Sequence, residues 1–166
     1  YSSAASDVYK RQMNIPTNYK LISKQLASLI EDEKNLIAIL SNTSALLNDT
    51  IDHINWVGFY LIENKELILG PFQGHPACVH IAIGKGVCGT AVSSGEIQRV
   101  KDVHQFPGHI ACDANSQSEI VIPLHQNGQI IGVLDIDAPI KNRFSQEDQE
   151  GLESIVKTLE KQLNQI

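Results

Sequence analysis

Apolar positions along the chain change period several times, and each change marks an element. Over residues 18–33 they recur at Leu21, Ile22, Leu26, Leu29 and Ile30, the rhythm of a helix with one buried stripe. A second helix is predicted over 34–47, ended by the turn-favouring Asn48, Asp49 and Thr50. The period then falls to two. Residues 54–62, INWVGFYLI, are rich in β-branched and aromatic side chains and predict a strand, with a turn at 63–65 and a partner strand over 66–69. On the first of these strands Trp56, Gly58 and Tyr60 share a face, and Gly58 leaves an open patch between two rings where a ligand could approach. ACVHIAI (77–83) predicts another strand, Gly84 and Gly86 a tight turn into a short helix, and 97–100 a short strand.

The last third carries the strongest local signals. SEIVIPLHQ and QIIGVLDID flank Asn127-Gly128, a two-residue hairpin turn. Pro123 interrupts the first of the two strands and, lacking an N–H, implies an edge position or a bulge. In the second strand Ile131, Val133, Asp135 and Asp137 share one face and Gly132, Leu134 and Ile136 the other. Two carboxylates therefore end one face, roughly 7 Å apart. Ser145 and Asp148 have capping-box spacing for a helix reaching about Leu163, with Leu152, Ile155, Val156, Leu159 and Leu163 on its buried stripe. The elements add up to an α+β fold, an antiparallel sheet flanked by N- and C-terminal helices, with a pocket beneath the irregular residues 101–115.

Composition narrows the partners. A chain of 166 residues with 42% hydrophobic and 19% charged side chains is the size and make-up of one soluble domain. Nothing approaches the ~18 consecutive apolar residues of a membrane helix. The net charge of -6, with no cluster of Lys and Arg, argues against nucleic acid and for small ligands or protein partners. Residues 1–12, YSSAASDVYKRQ, read as a leader foreign to the fold, leaving 13–166 as a single domain. With no export signal the expected compartment is the reducing cytosol, where the three cysteines would rest as thiols; an odd count also discourages a disulfide framework.

Chemistry concentrates in GHIACDANSQSE (108–119), where Cys112 is followed by small polar residues and the stretch closes on Glu119. A thiol in such a loop is accessible, the first requirement for reactivity, and the arrangement suggests a thiol-based reductase. Cys88, between Val87 and Gly89, reads equally as a buried small hydrophobe, and Cys78, at the head of a strand, could face pocket or core. His75-x-x-Cys78 and His109-x-x-Cys112 could together hold a tetrahedral zinc, although such sites more often use paired cysteines, and no metal is assigned. His109 could instead lower the pKa of the nearby thiol. Glu119, Asp135 and Asp137 could bind an ammonium group, or one could donate a proton if burial raises its pKa. Gly84-x-Gly86 lacks the remaining positions of a dinucleotide or triphosphate loop.

NWVGFYL, GPFQGHPACVHI, GKGVCGTA, GHIACDANSQSEIVIPL and IIGVLDIDAP together closely resemble the free methionine-R-sulfoxide reductases, a family built on the GAF fold. The resemblance runs from Met13 nearly to the C-terminus. It implies reduction of free methionine-(R)-sulfoxide, with thioredoxin as electron donor and no cofactor. Position by position, it makes Cys112 the attacking thiol, Cys78 its disulfide partner and Cys88 a third cysteine able to assist the exchange. Glu119, Asp135 and Asp137 match the family's pocket carboxylates, and Trp56 and Tyr60 its pocket aromatics. A homodimer is also suggested. The alternative within the same fold is a small-molecule or redox sensor without turnover.

Overall fold

A computed structural model describes residues 4–5 and 16–166. The reading of residues 1–12 as a foreign leader therefore falls almost wholly outside the described residues. Two helices, α1 (Tyr19–Ile30) and α2 (Leu36–Thr50), lead into strands β1 (Trp56–Glu63), β2 (Glu66–Gly74) and β3 (His80–Ala82). Helix α3 (Gly86–Ser94) and strand β4 (Gln98–Val100) follow, then a 3-10 turn at Val103–Gln105. The hairpin β5 (Ser118–Gln126) and β6 (Gln129–Ala138) precedes the C-terminal helix α4 (Gln146–Leu163). The strands form one six-stranded sheet in the order β3-β2-β1-β6-β5-β4, every neighbour antiparallel.

Period-two alternation divides the sheet between two cores. Val57 and Phe59 of β1, Ile120, Ile122 and Leu124 of β5, and Leu134 and Ile136 of β6 face α1, α2 and α4. The intervening residues Trp56, Tyr60, Val121 and Val133 face the other way and pack with Leu67, Ile81 and the α3 residues Val87, Cys88 and Ala91. The alternation thus gives Val57 and Phe59 of β1 to the helical layer and Trp56 and Tyr60, with the carboxylates of β5 and β6, to the opposite face. The α4 stripe is buried as predicted, and the Ser145–Asp148 capping box is present.

The structure departs from the sequence expectation at several places. Helix α2 runs through Asn48, Asp49 and Thr50 instead of ending at Leu47. Asn48 and Asp49 lie exposed, so they compete little with packing by Leu47, and the Thr50 hydroxyl donates back to the Leu46 carbonyl at 2.6 Å. Strand β2 continues to Gly74 because β1 supplies partners as far as Trp56, which pairs with Gly74. Strand β3 is only three residues long, its neighbour on β2 being paired over 66–68 alone. Pro123 meets both of its expected conditions. Strand β4 pairs with β5 only from Glu119 to Val121, leaving Pro123 at a local edge, and the β5–β6 register shifts just after it, between Leu124 and His125.

Gly58 is the clearest correction. The β1–β2 register shifts between Gly58 and Tyr60, and the bulge pushes β2 over the glycine. A Cβ there would sit 2.7 Å from Phe72 Cα and 2.8 Å from the Pro71 carbonyl oxygen. The open patch is therefore filled by β2 and does not admit a ligand.

Candidate active site

The face of the sheet away from the long helices carries a pocket whose walls come from every segment singled out in the sequence. Trp56 and Tyr60 of β1, Glu119 of β5, Asp135 and Asp137 of β6, Cys88 of α3 and Cys112 of the 108–119 loop all line it. Cys78 stands beside it, joined to Cys112 by a disulfide with the two Cα atoms 5.5 Å apart. The structure is thus of an oxidised form, against the expectation of three resting thiols, and leaves Cys88 as the one thiol of the chain. With their sulfurs bonded to each other, Cys78 and Cys112 do not form the four-ligand zinc arrangement considered from the histidine–cysteine spacing.

The aromatic wall is stiff. Trp56 stacks between Phe72, at 5.1 Å between ring centroids, and Tyr60, at 5.9 Å. Its indole N–H donates to the His75 carbonyl at 3.1 Å, and the Tyr60 hydroxyl donates to the Cys78 carbonyl at 2.8 Å. Both polar ends are thereby spent on the segment carrying Cys78, and the rings' apolar surfaces remain for the pocket.

The acidic wall is made by register. Glu119 pairs directly with Asp137 across β5 and β6, and Asp135 lies two residues along on the same face. Glu119 and Asp135 are buried, at 7% and 5% exposure, and Asp137 is partly so. Burial, reinforced by the charges of Asp135 and Asp137, pushes the Glu119 carboxyl well above the usual range. Burial raises Asp137 likewise, with Asp135 and Asp113 adding to it. Asp135 is pushed up only to about 6, burial being opposed by its contacts with Glu119 and Cys88. Burial thus favours the protonated form at all three, and Asp135 is the one whose contacts oppose it. Burial and the neighbouring acids also push the Cys88 thiol up, so it is a poor nucleophile at rest.

Two readings of the 108–119 loop change. His109 does line the pocket, but burial and the nearby His104 hold its pKa below the ordinary value. A neutral ring cannot lower a thiol pKa by its charge. The loop is also less exposed than its polar sequence implies. Ser116 is buried, and Asn55 donates from Nδ2 to Asp113 Oδ2 and to Ser116 Oγ, each at 3.1 Å. Asn55, Phe72, Lys85, Ile110, Asp113 and Ser116 are among the neighbours of the site that residue patterns alone did not identify. The signal present was an asparagine directly ahead of a tryptophan-led strand, which is weak by itself.

Fold and site define a class: a thiol–disulfide protein with a pocket shaped for a small amphiphilic molecule. The GAF domain family matches residues 33–163. The chain is 53% identical over 151 residues to the free methionine-R-sulfoxide reductase of Escherichia coli (strain K12), spanning 91% of this chain and 92% of that one. A solved structure of fRMsr of Staphylococcus aureus in its reduced form superposes with a TM-score of 0.87 at 73% identity, over 89% of this chain and 96% of that one. A second, of the same protein in complex with substrate, gives 0.86 at 72% identity over 90% and 97%. The chain belongs to the free methionine-R-sulfoxide reductases, enzymes on a GAF fold.

Proposed function

We propose that the protein reduces free L-methionine-(R)-S-oxide to L-methionine through Cys112 and Cys78. The observation that carries this reading is a disulfide set on the rim of a pocket with one aromatic and one acidic wall. In the reduced enzyme the Cys112 thiolate attacks the sulfoxide sulfur, and Glu119, whose protonated form burial favours, gives its proton to the sulfoxide oxygen. The oxygen passes to the Cys112 sulfur as the substrate's S–O bond and the new S–S bond break, so methionine leaves as the sulfide and a sulfenic acid remains on Cys112. The Cys78 thiol then condenses with it, forming the disulfide and releasing water. An external dithiol, which we assign to thioredoxin, attacks that disulfide and returns both thiols at the expense of its own oxidation. The sum is sulfoxide plus dithiol giving sulfide, disulfide and water.

Binding follows from the same walls. Ionised Asp135 suits the substrate ammonium, Trp56 and Tyr60 suit its methyl-sulfur end, and enclosure disfavours methionine within a peptide. Cys88 lies close enough to the acids to assist exchange when deprotonated. Regeneration by a dithiol suits the reducing cytosol, to which we assign the protein, and among the described residues no helix is long and apolar enough to cross a membrane. We also propose that the protein works as a homodimer.

The test is consumption of free methionine-(R)-sulfoxide by purified protein with dithiothreitol, beside the S epimer and an N-blocked analogue. R-selective turnover lost on blocking the amine and abolished by Cys112→Ser is expected. Full turnover by Cys112→Ser would remove the central assignment, and no turnover by the verified reduced protein would favour a ligand-sensing domain.

A further inference from the structure

Three residues to which the reductase reading gives separate parts also converge as a set of metal-ligating donors. Cys88 Sγ from α3, a Glu119 carboxylate oxygen from β5 and an Asp135 carboxylate oxygen from β6 all lie within 4.8 Å of one another. All three residues are buried, at 4%, 7% and 5% exposure, and all line the same cavity. They sit on two central strands and a helix packed against them, so their convergence is fixed by the scaffold. Asp135 supplies a second observation: its Oδ1 is buried and among the described residues has no hydrogen-bond partner, so in the absence of the substrate ammonium it is left for another cation. A buried carboxylate oxygen left without a donor costs free energy unless a ligand completes it.

We propose that Cys88, Glu119 and Asp135 form a three-ligand site for a borderline-soft divalent cation, Zn²⁺, which blocks the pocket. A thiolate among the donors selects zinc over magnesium or calcium, whose sites are built from oxygen. Three protein ligands leave the fourth tetrahedral position to water from the cavity. Thiolate and two carboxylates carry three negative charges, and the dication leaves a single one. Binding displaces the protons these groups hold and involves no change of oxidation state. Because Cys88 stands outside the Cys78–Cys112 pair, the site exists in both the disulfide and the dithiol forms. It does occupy Glu119 and Asp135, so metal and substrate exclude each other.

The disulfide supplies the test. In the oxidised protein Cys88 is the sole thiol, so any thiolate-to-cobalt charge-transfer absorption on adding Co²⁺ can come only from that residue. Titration of the oxidised full chain is expected to raise this band to one Co²⁺ per chain, with Zn²⁺ in excess abolishing it and free methionine raising the apparent Kd. Asp135→Asn and Glu119→Gln, checked for fold by circular dichroism, should each weaken binding about tenfold or more. In the reduced enzyme Zn²⁺ should raise the apparent KM for the sulfoxide and leave kcat unchanged. No band in the wild type, or a band unmoved by both carboxylate substitutions, overturns the proposal. The spectroscopic readout is independent of turnover, so its failure and that of the reductase reading are separable.

Discussion

The Tyr60 hydroxyl donates to the main-chain carbonyl of Cys78 across 2.8 Å, tying an aromatic of the pocket floor to the backbone of the cysteine that must reach Cys112. Burial and the acids around it push the Tyr60 pKa far above the ordinary phenol value, so the group stays a neutral donor at any working pH. Tyr60→Phe keeps the ring and removes only this bond. The expected loss of stability is about 1 kcal/mol, the usual net worth of one such hydrogen bond, read from the urea midpoint. The Cys78 segment should also be less well placed for condensation. Trapping of the Cys112 sulfenic acid by dimedone during turnover should then rise relative to the wild type.

Gly58→Ala tests the correction at the β1–β2 bulge. The added methyl group would meet β2 backbone, with Phe72 Cα at 2.7 Å, and that backbone is held from the helical side, where the Ser44 hydroxyl of α2 donates to the Pro71 carbonyl at 3.2 Å. Overpacking of a buried strand position is expected to cost about 3 kcal/mol. The same shift displaces Phe72 and hence Trp56, stacked on it at 5.1 Å, so Trp56 fluorescence should report the change in any protein that still folds. A variant as stable as the wild type, with unchanged emission, would mean that the bulge yields freely.

These positions mark where the sequence stops being legible. Period-two alternation in β6 is local and is enough to place Asp135 and Asp137 on one face, but Glu119 joins them only through the register shift between Leu124 and His125, which the sequence signals no further than by Pro123. The helical stripes and the cap at Ser145 were equally local. The bulge over Gly58, the extension of β2 to Gly74 and the inward turn of Ser116 depend on neighbours far along the chain, so no short pattern carries them. The Cys78–Cys112 pairing spans 34 residues and came from family resemblance, since three cysteines alone leave the partner open. Asn55 is the plainest gap. Its role arises from a loop about sixty residues away, with which it shares no sequence signal.

That role gives a further prediction. Asn55 holds both Asp113 and Ser116 from Nδ2, while its own N–H donates to the Asp137 carbonyl at 2.9 Å. One residue thus joins the Cys112 loop to the acid-bearing strand. Asn55→Ala frees the loop, and alkylation of reduced Cys112 by iodoacetamide should quicken severalfold while turnover falls. Asn55→Asp should be worse than alanine, because it faces the Asp113 carboxylate with another carboxylate instead of an amide. If the two variants behaved alike, the tether would be serving only to fill space.

The carboxylate cluster fixes the sign of a pH effect on stability. Glu119, Asp135 and Asp137 all have raised pKa values in the fold, and Tyr60, Lys85, Cys88, His109 and Asp113 are the other titratable groups lining the same pocket. The folded state therefore binds protons more tightly than the unfolded chain at these sites. Their contribution is fully present below the unfolded carboxyl range, about pH 4, and is lost as pH rises through the folded values, about 6 for Asp135 and likewise raised for its two neighbours. Asp148 acts in the opposite direction, since hydrogen bonds from Tyr19 and Ser145, with the Arg143 charge, outweigh burial and lower its pKa. The wild-type curve alone would mix the two, so the difference between wild type and Asp137→Asn is the quantity to measure, in buffer containing a chelator. Asparagine cannot ionise, and it also relieves Glu119 and Asp135 of a neighbouring charge. The variant should gain stability on the wild type steadily from pH 4 to pH 8, by a few kcal/mol in all. A difference flat across that range would mean that the three acids titrate as they do in the unfolded chain, and the proton held at Glu119 for the sulfoxide oxygen would lose its physical basis.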